Sequence, residues 1–265
     1  MTESADAANA GRSHPEIVVH AIKELITTGA LSAGDRLPVE KDLAAQLGVS
    51  RGSLREGVRA LATLGVLETR QGDGTYVTSL EPGRLLSPLG FLAELPSSAD
   101  SAHLSAIRRV LEAESASRAA VELTDEGFAE LDRILDGVDE ILAHGSEMDL
   151  EAFIEADAAF HREIARASGN PALAALIETL VSRTFRARLW RAITERGAVR
   201  DTQAEHRAVL RELRARDSAR ARIRMEAHIL GVEDYARDRH VEPEPGPDSE
   251  SGTEAETDGP AAPAL

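Results

Sequence analysis

Residues Val49–Gly65 read VSRGSLREGVRALATLG. Ser50 suits a helix N-cap, because its side-chain oxygen can accept from the free N–H groups of the first turn. Arg51, Arg55 and Arg59 recur at i, i+4 and i+8. On a helix of about 3.6 residues per turn they form one basic stripe. Leu54, Val58 and Leu61 form a neighbouring apolar stripe that can dock on a small core. A short helix with a basic front and an apolar back can enter the major groove of DNA, its arginines facing phosphates and guanine edges. A solvated surface helix carrying three arginines is the alternative.

The flanking residues weigh on that choice. Pro15 opens a helix with Val18, Ile22, Leu25 and Ile26 on one face, ending near Gly29. LSAGDRLP follows as a turn segment. A second helix is expected from about Pro38 to Leu47, with Gly48 as its stop. Helix, short Gly-containing turn and helix make a helix-turn-helix. Beyond Gly65, Val66–Arg70 and Thr75–Ser79 are β-rich and are joined by Gln71-Gly72-Asp73-Gly74. This pattern predicts a hairpin with a Gly-rich tip, placed as a wing.

AIKELITTGALSAGDRLPVEKDLAAQLGVSRGSLREGVRALATLGVLETRQGDGTYV resembles, almost throughout, the winged-helix domain of GntR-type bacterial regulators. The resemblance implies that Lys41, Ser50, Arg51, Ser53, Arg55 and the wing tip Gly72, Asp73 and Gly74 hold DNA. Gly52 departs from the pattern, standing where relatives often carry a polar side chain. Relatives usually bind short inverted repeats as dimers, so the resemblance also implies a homodimer on a palindromic double-stranded DNA operator.

The formal net charge of −16 runs against nucleic-acid binding until it is divided by region. Residues 241–265 carry seven acids and no base, whereas residues 1–80 carry ten acids and eight bases. Groove binding follows the local placement of charge rather than its total. The absence of Cys excludes disulfides, thiolate ligands and a Cys nucleophile. No apolar run approaches the ~20 residues of a membrane span, and MTESADAANAGRSHP lacks the basic start and apolar stretch of a secretory signal. The expectation is a cytoplasmic protein.

Residues 80–100 contain three prolines and an apolar LGFLAEL piece, and read as a linker with room for one short helix. From Ser101 onward there is no strand signal. Six helices are expected, at about 101–121, 125–143, 147–168, 171–196, 200–216 and 218–239. The fold class is therefore mainly α: an N-terminal winged helix-turn-helix (15–79) with a small β-hairpin wing, then a C-terminal antiparallel all-α bundle (101–240). Residues 1–14 and the acidic, Pro-rich 241–265 are expected to be disordered.

Polar residues on apolar faces carry the functional signal of the bundle. Asp157 and His161 project within roughly 40–80° of Phe153 around their helix. His206 lies between Val209, Leu210 and Leu213, and His228 among Ala221, Met225, Val232 and Tyr235. Burying a carboxylate costs several kcal/mol unless it is paired or bound to a metal. One Asp and three His on three helices suit a divalent ion, zinc first, with nickel or another transition metal as alternatives. A simple Asp157–His161 ion pair is the competing reading. Arg108 shares an inner face with Leu104, Ile107 and Leu111. A buried guanidinium needs an anion, either a carboxylate effector or Glu112 one turn on. Arg188 and Arg191 are further inward-facing candidates.

AIRRVLEAESASRAA, DAAFHREIARASGNPAL and EHRAVLRELRARD resemble the FCD helical ligand-binding domain of the FadR subfamily. That resemblance implies a metal on Asp157, His161, His206 and His228, and a small organic acid or sugar acid as effector, for which the inward-facing Arg108 and Arg188 are the candidate anchors. An acyl-CoA effector is disfavoured. The expected function is an effector-controlled transcription regulator, in the first place a repressor. The alternatives are a metal-dependent enzyme in the bundle, or an effector-independent dimeric DNA-binding protein with a structural metal. No HExxH and no nucleophile motif supports the enzyme.

Overall fold

The computed structural model describes residues 11–92, 100–143 and 149–238. The expectations for residues 1–10 and 241–265 lie outside them. The head is built from α1 (His14–Thr27), α2 (Glu40–Leu47), α3 (Arg51–Thr63), β1 (Leu67–Arg70) and β2 (Gly74–Val77). Ser13 and Glu16 close a capping box on α1. Ser50 caps α3, its side chain accepting from the Ser53 N–H at 3.0 Å. The turn between α2 and α3 needs a left-handed residue, which Gly48 supplies at φ 66°. Val18, Ile22, Leu43, Leu54, Leu61, Leu67 and Val77 form the head's core. At Gly57 a Cβ would come within 2.6 Å of Val18, so α3 crosses α1 where only glycine fits.

The wing strands pair antiparallel, Leu67 opposite Val77 and Arg70 opposite Gly74. LSAGDRLP does more than turn. Gly34 and Leu37 donate to the carbonyls of Val77 and Thr75, and Val77 donates back to Asp35. The segment thus lies along β2 and fastens the wing to the head.

Within the expected linker, α4 (Pro82–Leu92) is helical despite Pro88. It packs along a helix of the bundle, α8 (Pro171–Arg183). The other bundle helices are α5 (Asp100–Glu122), α6 (Asp125–Ala143), α7 (Leu150–Ala167), α9 (Phe185–Thr194), α10 (Ala198–Arg214) and α11 (Ser218–Asp238). Buried Ala113, Ala116 and Ala120 let α5 and α11 lie close and antiparallel. Leu131, Leu135, Phe160, Ile164, Val209, Leu213 and Met225 fill the bundle core.

The bundle holds seven helices among the described residues, one more than expected, because the 171–196 segment divides at Thr184. The Thr184 hydroxyl donates to the Leu180 and Val181 carbonyls at 3.3 Å. Arg188 Nη2 donates to Val181 O at 2.8 Å. These side chains satisfy the carbonyls that a helix end leaves open, so the break costs little.

Candidate nucleic-acid interface and metal centre

The head turns its basic residues to solvent. Lys41, Ser50, Arg51 and Arg55 are exposed, and Ser53 is half-buried beneath the Ser50 cap. Arg55 Nε donates to Glu40 Oε2 at 3.0 Å, which aims it along the start of α2. Gly72 and Asp73 form the exposed wing tip, and Gly74 is half-buried beside them. The Asp73 carboxylate accepts from Tyr76 Oη at 2.9 Å and faces Arg36 Nη1 at 3.9 Å, so it shapes the tip from within. Arg36, which the sequence reading took as part of a turn, thereby stands beside the wing. Only its pairing with β2 reveals this.

In the bundle, one ligand atom each from Asp157, His161, His206 and His228 lies within 4.8 Å of the others, and all four residues are buried. Asp157 and His161 sit one turn apart on α7, His206 comes from α10 and His228 from α11. His228 Nε2 is 3.2 Å from His206 Nε2 and 3.3 Å from His161 Nε2. Asp157 Oδ1 stands 3.5 Å from His206 Nε2 and 4.0 Å from His161 Nε2. Phe160 stacks on the His206 ring, with centroids 4.3 Å apart.

The other ring nitrogens explain this convergence. His161 Nδ1 faces the buried Glu112 carboxylate. His228 Nδ1 faces Glu205 Oε2 at 2.7 Å. A carboxylate at Nδ1 keeps the proton there and leaves Nε2 as a bare lone pair. Lone pairs and a carboxylate oxygen aimed at one another repel unless a cation lies among them. Metal–nitrogen bonds of about 2.0–2.1 Å in a tetrahedron set the nitrogens roughly 3.3 Å apart, the spacing seen here. The donor set therefore fits a divalent ion.

Burial, together with His228, His161 and Arg188, holds His206 well below the usual imidazole range. Burial also lowers His228 to about 4, against the opposing pull of Glu205. Both rings are therefore neutral near pH 7, the form that binds metal.

The remaining oxygen of Asp157 is held by Arg188 Nη1. Burial and the neighbouring Arg108 pull Arg188 down to about 9, so it stays cationic. Arg108 takes the alternative weighed from the sequence. Its Nε donates to Glu112 Oε1 at 2.6 Å and its Nη1 to Thr184 Oγ1 at 2.7 Å. Burial works to raise the Glu112 carboxyl, but Arg108 and His161 outweigh it and keep the group ionised. A narrow cleft of about 20 Å³ opens beside the centre. Asp157, Arg188, Arg191, Thr202 and His228 line it together with apolar side chains, whereas Arg108 lies behind His161. Sequence reasoning missed Glu205 and Thr202, and weighed Glu112 only as a partner for Arg108. The sole local signals were Glu205 next to His206 and Thr202 one turn before it.

A winged helix joined to a helical bundle with a buried polar centre defines the class, a DNA-binding transcription regulator. The chain belongs to the GntR family of bacterial regulatory proteins, whose pattern matches residues 16–77, and residues 103–231 match the FCD domain. It is 35% identical over 216 residues to the HTH-type transcriptional regulator LutR of Bacillus subtilis, covering 79% of this chain and 95% of that one. It is 34% identical over 171 residues to the Glc operon transcriptional activator of Escherichia coli K12, covering 64% and 66%. The HTH-type transcriptional repressor NanR of Klebsiella aerogenes is 28% identical over 223 residues, covering 82% and 83%. Among solved structures, Streptococcus agalactiae GntR superposes with a TM-score of 0.58 at 28% identity, covering 83% of this chain and 99% of that one. Among the described residues no helix is long and apolar enough to cross a membrane.

Proposed function

We propose that this chain is a cytoplasmic repressor. It binds a palindromic operator as a homodimer and lets go when a small carboxylate enters the bundle beside a divalent metal ion. The observation that carries this reading is the convergence of Asp157, His161, His206 and His228 next to an Arg-lined cleft. Those four residues would hold the ion, zinc by first choice, which supplies a positive centre for a carboxylate. The two carboxylates nearest the imidazoles, Glu112 and Glu205, are engaged at Nδ1 atoms, which favours a sensing site over a hydrolytic one.

Residues 15–79 act as the reading head, 80–100 as the link and 101–240 as the sensor. In the head, Arg51 and Arg55 face the groove. Ser50, Ser53, Lys41 and the backbone of Gly72, Asp73 and Gly74 contact phosphates. Arg188 anchors the effector carboxylate. Arg108 supports it from behind, by fixing Glu112 and Thr184.

The outer face of α5 and α11 supports a dimer. Ile107, Val110 and Val121 on α5 and Ile223 and Leu230 on α11 are exposed. Ion pairs of both signs, Glu114–Arg222 and Arg109–Glu226, link the two helices. A patch mixing apolar groups with both charges can complement a rotated copy of itself.

A contiguous route joins sensor to head. Arg188 caps the end of α8, α4 packs along α8, and Arg84 of α4 donates to Glu68 of β1 at 2.6 Å. An acid arriving at Arg188 meets one end of this route and, by disturbing it, releases the wing from the operator.

The test is binding of zinc-loaded protein to DNA from its own upstream region, with and without a panel of small carboxylates. Specific binding relieved by an acid is expected. Specific binding that no acid alters would overturn the effector reading.

A further inference from the structure

Taken alone, the wing has the wrong sign for DNA. The hairpin from Leu67 to Val77 carries Glu68 and Asp73 against Arg70. Its net negative charge would repel a polyanion. Resting on the DNA-reading role given to the head above, we infer that Arg36, from outside the hairpin, corrects this sign. Its guanidinium docks on a backbone phosphate beside the wing, a contact made by charge and not by base sequence.

The backbone of Arg36 is fixed, while the end of its side chain is free. Arg36 pairs with Tyr76 in an antiparallel bridge. On either side, Val77 donates to Asp35 O at 2.9 Å and Leu37 to Thr75 O at 2.8 Å. Residues paired across strands share a face, as do residues two apart along a strand. Arg36 therefore stands on the face of Gly74 and Tyr76. Its guanidinium lies across Gly74, where a Cβ would meet Nε at 2.6 Å. Arg70 stands over the Tyr76 ring, 4.2 Å from its centroid.

The neighbouring cations are already taken. Arg70 donates to Glu68 Oε1 from Nε at 2.9 Å and from Nη2 at 2.6 Å, and Arg84 donates to Glu68 Oε2 at 2.6 Å. Arg36 is not held in this way. Its one carboxylate partner among the described residues is Asp73, with Nη1 3.9 Å from Oδ1, beyond hydrogen-bond reach, and its side chain is 56% exposed. Tyr76 holds the other oxygen, Oδ2, at 2.9 Å. A guanidinium serving only to brace the wing would be locked onto its anion. An exposed pair at this spacing holds weakly, so phosphate oxygens can take over the guanidinium fork.

Fluorescence anisotropy of the full chain on its upstream DNA and on an unrelated duplex, across salt, tests this. For Arg36→Gln the slope of log affinity against log salt should shrink by about one per protomer, on both duplexes alike. The weakening per protomer should then be about threefold larger at ~50 mM than at ~200 mM salt. Arg36→Lys, which keeps the charge, should restore the slope. Asp73→Asn, which removes the competing anion but can still accept from Tyr76, should tighten binding, and weaker binding would overturn that part. An unchanged slope with a lowered melting temperature would make Arg36 a brace and overturn the inference. A loss confined to the upstream DNA would mark base reading and overturn it too. Arg51→Ala separates this from the role of the head. If neither Arg51→Ala nor Arg36→Gln weakens binding to either duplex, the head reading fails and takes the inference with it; if Arg51→Ala alone does, only the inference fails.

Discussion

In the head, Lys41, Arg51 and Arg55 are exposed, and Thr78 is the one polar side chain among its described buried residues. In the bundle, Arg108, Glu112, Asp157, His161, Arg188, His206 and His228 are all buried. The two halves of one chain thus handle polar groups in opposite ways, and the reason lies in what each meets. A DNA backbone arrives from solvent as a long polyanion, so the head needs only an outward basic surface on a small apolar core. A small ligand must be enclosed, so the bundle carries its charges inside and matches each with a partner.

The contrast predicts unequal consequences of mutation. Asp157→Ala removes a metal ligand and strips Arg188 of its anion, so the metal-free protein should lose about 3 kcal/mol of stability. Denaturant unfolding and metal analysis would check both effects; full zinc occupancy would refute the ligand role. Glu205→Gln keeps the fold but weakens the hold on His228 Nδ1. Zinc affinity should fall roughly 10- to 100-fold by competition with a chelator.

On the exposed side, Arg51→Ala or Arg55→Ala should cost about 1–3 kcal/mol of operator affinity if a base contact is lost. Melting temperature should not move, and an unchanged gel-shift affinity would remove these residues from the interface. Glu68→Ala, which frees Arg84, should leave melting and operator affinity nearly as they were while blunting the effect of the acid. A full response would show that coupling takes another route.

Acid separates the halves again. The folded-state value of His228 is lowered to about 4, while the unfolded chain titrates near the ordinary 6.5. Below about 6.5 the unfolded state takes up the proton and the folded state does not. The stability of the metal-stripped protein is therefore present above that range and drains away as pH falls toward 4. His206, also lowered, adds in the same direction. A melting temperature that stayed flat from pH 7 to 4.5 would contradict the buried neutral imidazoles.

The reading head was legible because its signals are local. The Ser50 cap, the left-handed Gly48 and the Arg51–Arg55–Arg59 stripe lie within a dozen residues, and helix geometry alone places them. The wing's two strands also came from neighbouring residues. Its fastening did not, since Arg36 meets Tyr76 across a chain separation that no periodicity records.

In the bundle, apolar periodicity already turned Asp157, His161, His206 and His228 inward, since each helix face can be read alone. What those faces meet was decided by packing. Arg108 had two possible anions; it takes Glu112 one turn along its own helix, and only packing against the end of α8 adds the Thr184 hydroxyl. The break at Thr184 became visible only when Arg188 folded back onto Val181 and reached Asp157. Sequence by itself determined the elements, the inward faces and the donor types, because these follow from nearest neighbours along a helix. Tertiary structure alone decided which carboxylate holds which imidazole, where the cleft opens and how α4 ties wing to sensor. Those pairings join residues far apart in the chain, and only close packing chooses among partners of equal chemistry.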